Sequence, residues 1–165
     1  MKAQSGFTLI ELLVVVTIIG IVSSIAIGNF FRLNEKKTIE SNIKEIYSIL
    51  MRARNTASNT NTPRLVVLGA NQLQTGVDAD GNNVIDGTPT IKTFNVFPTA
   101  ATPHAITSNV PPGRIRFDRR GLTSDNQTIS ITGFPAGIDP AMDCIVISAT
   151  RINMGRMTGG ACVQR

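Results

Sequence analysis

From residue 7 to residue 31 the sequence carries one charge, Glu11, in a run dominated by Leu, Ile, Val and Ala with a few hydroxyl residues. A helix of about 20 apolar residues crosses a bilayer's hydrocarbon core, so this run predicts a spanning helix at the N-terminus. Lys2 precedes the run, and Arg32, Lys36 and Lys37 follow it. With basic residues on both sides, charge alone does not orient the segment. A secretory signal would be cut after the apolar stretch, and Ser23, Ser24 and Ala26 imitate such a site. Export, however, gives no reason for a carboxylate inside the apolar run, where it is costly in lipid. Glu11 is therefore expected to have a partner.

The words around Glu11 carry a resemblance. Ser5-Gly6-Phe7-Thr8-Leu9-Ile10-Glu11-Leu12-Leu13-Val14-Val15 is similar to the class III signal of type IV pilins and type II secretion pseudopilins. The resemblance implies a leader of residues 1–6, cut by a prepilin peptidase after Gly6, with Phe7 as the methylated new amino terminus. It also implies that Glu11, fifth in the mature chain, meets the Phe7 amine of a neighbouring subunit, because a buried carboxylate needs a positive group. The protein is then expected in the bacterial inner membrane with a periplasmic head, and afterwards in a pilus or pseudopilus among other subunits. Many pilins have a proline where Gly28 stands here; glycine also weakens a helix, by about 1 kcal/mol against alanine, so loosening is expected there.

After the apolar run, Ile39, Ile43, Ile46, Leu50, Ala53 and Ala57 recur at spacings of three and four, an amphipathic stripe, with Glu40 and Lys44 as an i,i+4 pair. One helix is expected from 7 to about 58, its first half in membrane or filament (7–31) and its second half amphipathic (32–58). Asn59, Asn61 and Pro63 end it. Short strand-like runs at 64–68, 91–97, 114–117, 128–132 and 144–148, separated by turn formers, predict an antiparallel sheet. The expected fold is α+β, a long N-terminal helix packed on a β-rich head of residues 59–165. Leu50-Met51-Arg52-Ala53-Arg54-Asn55-Thr56-Ala57, Ile115-Arg116-Phe117, Ile145-Val146-Ile147-Ser148 and Gly155-Arg156 resemble the GspH/FimT minor pseudopilins.

Chemistry is thinly supplied. With one His and two Cys, the chain lacks stock for a His/Cys metal cluster, and no acid/base pair, nucleophile elbow or phosphate loop is present, so an enzyme is not expected. Cys144 and Cys162 would lie in the oxidising periplasm, which favours a disulfide over two free buried thiols. Asp78, Asp80, Asn82 and Asp86 flank Gly81 at alternate spacing, as in a calcium loop. The twelfth position, where such a loop needs glutamate, is Pro89, so a polar hairpin tip is the favoured reading over weak calcium binding. The net charge of +5 is compatible with an anionic partner. Arg114, Arg116 and Arg156 are the candidate contacts for DNA, which some FimT-type members bind during uptake. Their Gly-Arg-x-Arg tail is half present in Gly155-Arg156-Met157-Thr158, and a solvated strand face is the favoured alternative. The expected function is structural: a minor pilin, with an H-type secretion pseudopilin and a DNA-binding minor pilin as alternatives.

Overall fold

The computed structural model describes residues 7–94, 104–110 and 113–164, apart from the side chains of 25–29. The leader with Gly6, the loosening expected at Gly28 and the end of the strand expected at 91–97 lie outside the described residues.

Helix α1 runs Leu9–Thr60. Thr8 starts it: its carbonyl accepts the Leu12 N–H at 3.2 Å, and its Oγ1 accepts the Glu11 N–H at 3.3 Å. This is half of a capping box, in which a threonine caps the helix and a glutamate stands three residues on. At the far end Asn61 takes φ 51°, and the Thr62 N–H reaches back to the Ala57 carbonyl at 3.2 Å. That bond closes a Schellman turn around a left-handed residue, and Pro63 prevents further helix.

The chain divides into two compact units, Met1–Glu35 and Lys36–Arg165. In the first, the described apolar side chains stand free: Phe7 is 81% exposed and Leu9 82%, and Leu12, Leu13, Ile18, Ile19 and Ile21 are all exposed. The hydroxyls fold back onto the helix, Thr17 donating to the Leu13 carbonyl at 2.6 Å and Ser24 to Ile21 at 2.8 Å. Such bonding hides the polarity of a hydroxyl from apolar surroundings. Among the described residues, no helix is long and apolar enough to cross a membrane.

In the second unit the stripe of α1 becomes the core. Ile39, Ile43, Ile46, Leu50 and Ala57 are at most 1% exposed, and Ala53 is buried. They meet two antiparallel sheets. One has the order β3-β2-β1-β5, from β1 (Arg64–Leu68), β2 (Gln72–Val77), β3 (Asp86–Thr93) and β5 (Arg114–Phe117). The other has the order β4-β6-β7-β8-β9, from β4 (Ala105–Ser108), β6 (Gln127–Thr132), β7 (Cys144–Ile147), β8 (Ile152–Thr158) and β9 (Ala161–Gln164). Strand alternation sends Val66, Leu73, Ile115, Phe117, Ile129, Ile145 and Ile147 into the same core. Glu40 accepts the Ala141 N–H at 2.8 Å, so the carboxylate expected to support Lys44 ties a loop to the helix.

Cys144 and Cys162 are joined, with Cα atoms 6.0 Å apart and 18 residues of separation. A closed loop of this size contributes about 3 kcal/mol by chain-entropy arithmetic. Gly155 of β8 makes room for it: a Cβ there would lie 2.9 Å from Cys162 Sγ and would also strike the Val163 carbonyl. The glycine of the Gly155-Arg156 pair is thus required by close packing.

Candidate functional site

The first candidate is the start of α1. Glu11 is the acidic residue of the first helical turn, flanked by exposed Ile10 and Leu12. A carboxylate there complements the positive end of the helix dipole. Phe7, two residues before the helix, is itself exposed. The arrangement presents an anion on an otherwise apolar surface. An exposed apolar surface of this extent marks a place that lipid or protein covers.

The second candidate is the loop between β2 and β3. Asp78, Asp80 and Asp86 come together, with one oxygen of each within 4.8 Å of the others. Those oxygens are already engaged. Asp78 is fully buried; its Oδ2 accepts from Arg116 Nε at 2.7 Å and its Oδ1 from the Gly81 N–H at 3.0 Å. Asp86 accepts the Ala79 N–H, Asp80 the Asn82 N–H, and Asn82 Oδ1 the Val84 N–H at 2.7 Å. Asn83 takes φ 61° at the tip. These are the side chain to backbone bonds that shape a polar hairpin. A cation would have to displace a guanidinium to use Asp78.

The same ion pair changes the reading of the third candidate. Ile115 and Phe117 point inward from β5 as expected, but Arg116 does not share a free basic face with exposed Arg114. It lies against Asp78, and its own N–H donates to Asp125 at 2.8 Å. Arg156 pairs with Asp139. Two of the three arginines proposed for DNA therefore face carboxylates, which the sequence could not show because the partners lie 38 and 17 residues away. His104, the single histidine, is buried with its ring 6.2 Å from that of Phe134.

Two carboxyl groups of the second unit titrate away from their ordinary value of 3.8. Burial acts to raise Asp118, but N–H donation from Leu122 and Arg120 and the Arg120 guanidinium outweigh it and leave the group lowered. Burial raises Asp143, and there the opposing Met157 N–H at 2.6 Å and the charge of Arg156 do not compensate. A raised carboxyl stabilises the fold below the unfolded value and loses that contribution as pH rises through the folded value. An Asp143→Asn chain keeps an acceptor for Met157 and has nothing to titrate. In urea unfolding at pH 3.5 and pH 7, the stability difference between variant and parent is expected to move in the variant's favour at the higher pH. A difference that does not change with pH would show that burial of Asp143 carries no cost.

Comparison with known proteins follows the same division. The prokaryotic N-terminal methylation motif matches residues 1–27, and the family described as type II transport protein GspH matches residues 42–150. The crystal structure of the Pseudomonas aeruginosa (strain PAO1) type IV minor pilin FimU superposes with a TM-score of 0.56 at 20% identity, covering 74% of this chain and 91% of that one. That likeness is one of fold. No curated protein matches the chain.

Proposed function

Because the chain belongs to the type II transport protein GspH family and carries the N-terminal methylation motif, we propose that it is a minor pilin, cut after Gly6, methylated at Phe7, held in the inner membrane by residues 7–31 and then packed into a type IV pilus or its priming tip complex. Family membership carries the role of a minor pilin or pseudopilin in a type IV system. The pilus reading is supported by the first turn of α1, where Glu11 stands alone among exposed apolar side chains. Lipid covers such a surface before assembly and neighbouring helices cover it afterwards, and in either setting a lone carboxylate calls for a positive partner. The amine of a neighbour's processed Phe7 is the partner of right charge and position. The prepilin peptidase and the other pilin subunits are the partners this implies.

An H-type pseudopilin of type II secretion is the second reading, favoured by the description of the matching family. Surface pili sheared from cells lacking the chain, compared with a complemented strain, discriminate the two. Loss of pili is the expected result. Unchanged pili together with failed exoprotein release would replace the pilus assignment with the secretion one. DNA uptake has less support, since Arg116 and Arg156 are paired with Asp78 and Asp139.

A further inference from the structure

A cavity of about 490 Å³ lies in the second unit between α1 and the β1-β2-β3 sheet. Register explains how it is lined. Val66 faces Thr75, Thr75 faces Thr90, and Leu73 faces Lys92. Directly opposed residues share a sheet face, and Arg64, two before Val66, projects on that face as well. Arg52 on α1 lines the cavity from the helix, beside Ile49 and Ala53.

The cavity has an excess of positive charge and an unmet donor. Three cations, Arg52, Arg64 and Lys92, line it against one carboxylate, Glu45, which pairs with Lys92 at 2.8 Å. Among the described residues no carboxylate pairs with Arg52 or Arg64. Arg64 Nε is buried and has no hydrogen-bond partner. A buried guanidinium N–H without an acceptor is rare in native proteins and calls for an explanation.

We propose that this cavity is a docking site for a carboxylate side chain on an acidic segment of a partner protein, received by the guanidinium groups of Arg64 and Arg52. A guanidinium fork matches the planar carboxylate. The apolar part of the lining, Ile49, Ala53, Leu73 and Ile91, suits the methylene stem of a glutamate. A doubly charged phosphate would meet Glu45 at the rim, and a nucleic acid needs several converging cations where two are free. That the partner is a neighbouring subunit rests on the assembly reading above; the carboxylate chemistry does not.

The test uses the full chain in detergent micelles and a tetraglutamate peptide blocked at both ends, followed by calorimetry. The peptide is expected to bind and tetraglutamine not to bind. Arg64→Gln and Arg52→Gln are each expected to weaken binding by at least about tenfold, the loss of one charged hydrogen bond. Arg119→Gln, at an exposed site away from the cavity, is expected to change nothing. Arg52 is exposed on the helix, so its variant keeps the test meaningful if Arg64→Gln does not fold. Absence of peptide binding overturns the proposal, as does binding that neither variant weakens. Inorganic phosphate displacing the peptide at equal concentration would overturn the carboxylate assignment. None of these results bears on pilus recovery from the deletion strain, so the docking site and the assembly reading fail separately.

Discussion

A Glu11→Ala chain is expected to reach the membrane at the parent's level and to be depleted at least tenfold from assembled filaments, measured by immunoblot of membrane and sheared fractions. Insertion is not impaired, because removing a carboxylate from an apolar segment lowers its cost in lipid by roughly 3 kcal/mol. Incorporation is expected to fall because, in the proposed pairing, the neighbour's amine loses its counter-charge. The structure adds a competing role that the experiment must separate. Glu11 stands three residues after the cap Thr8, whose Oγ1 accepts the Glu11 N–H, so its removal also touches the start of the helix. Glutamine serves that position in a capping box as well as glutamate does, but it carries no charge. Glu11→Gln is therefore expected to fail in assembly like Glu11→Ala. Normal recovery of the glutamine variant in filaments would assign Glu11 to helix initiation and remove the charge-pairing argument.

The second large effect is in the head. Arg116→Ala is expected to destabilise the chain by about 3–5 kcal/mol in urea unfolding, because it leaves a buried carboxylate without its cation. Asp78 has no solvent to turn to, being fully buried, while the Arg116 side chain is 30% exposed. Combining Arg116→Met with Asp78→Asn should recover most of the loss, since the asparagine is neutral and still accepts the Gly81 N–H. A single Arg116→Ala change that costs under about 0.5 kcal/mol, the range of an ordinary surface substitution, would return Arg116 to the free basic face that its sequence context advertises.

The elements legible in the sequence are those whose signal is local. The stripe from Ile39 to Ala57 reads as a helix face because its period is 3.6, and each of its residues is buried. Arg64–Leu68 and Arg114–Phe117 read as strands because apolar residues alternate or cluster between turn formers. Four strands give no such signal. β2 has Gly76 within it, β8 has Gly155, and β4 and β9 are four-residue pieces too short to show a period. Their pairing comes from neighbours in space. Side-chain roles divide in the same way. The acidic loop and the arginines of β5 are each visible, but that Arg116 neutralises Asp78 depends on β1 bringing β2 and β5 to its two edges. The cavity lined by Arg52, Arg64 and Lys92 has no sequence signature, since its cations come from a helix and two strands.

The bridge between Cys144 and Cys162 has a mechanical consequence. A filament subunit is pulled on, and tension applied at the C-terminal strand would ordinarily peel β9 from β8 one bond at a time. Here the covalent path runs from Cys162 directly to Cys144, a fully buried residue at the start of β7. Residues 145–161, the whole of β8 included, hang from that path as a closed loop that carries no load. Force entering at the tail is delivered to β7 in the interior of its sheet, where rupture requires several strand bonds to break together.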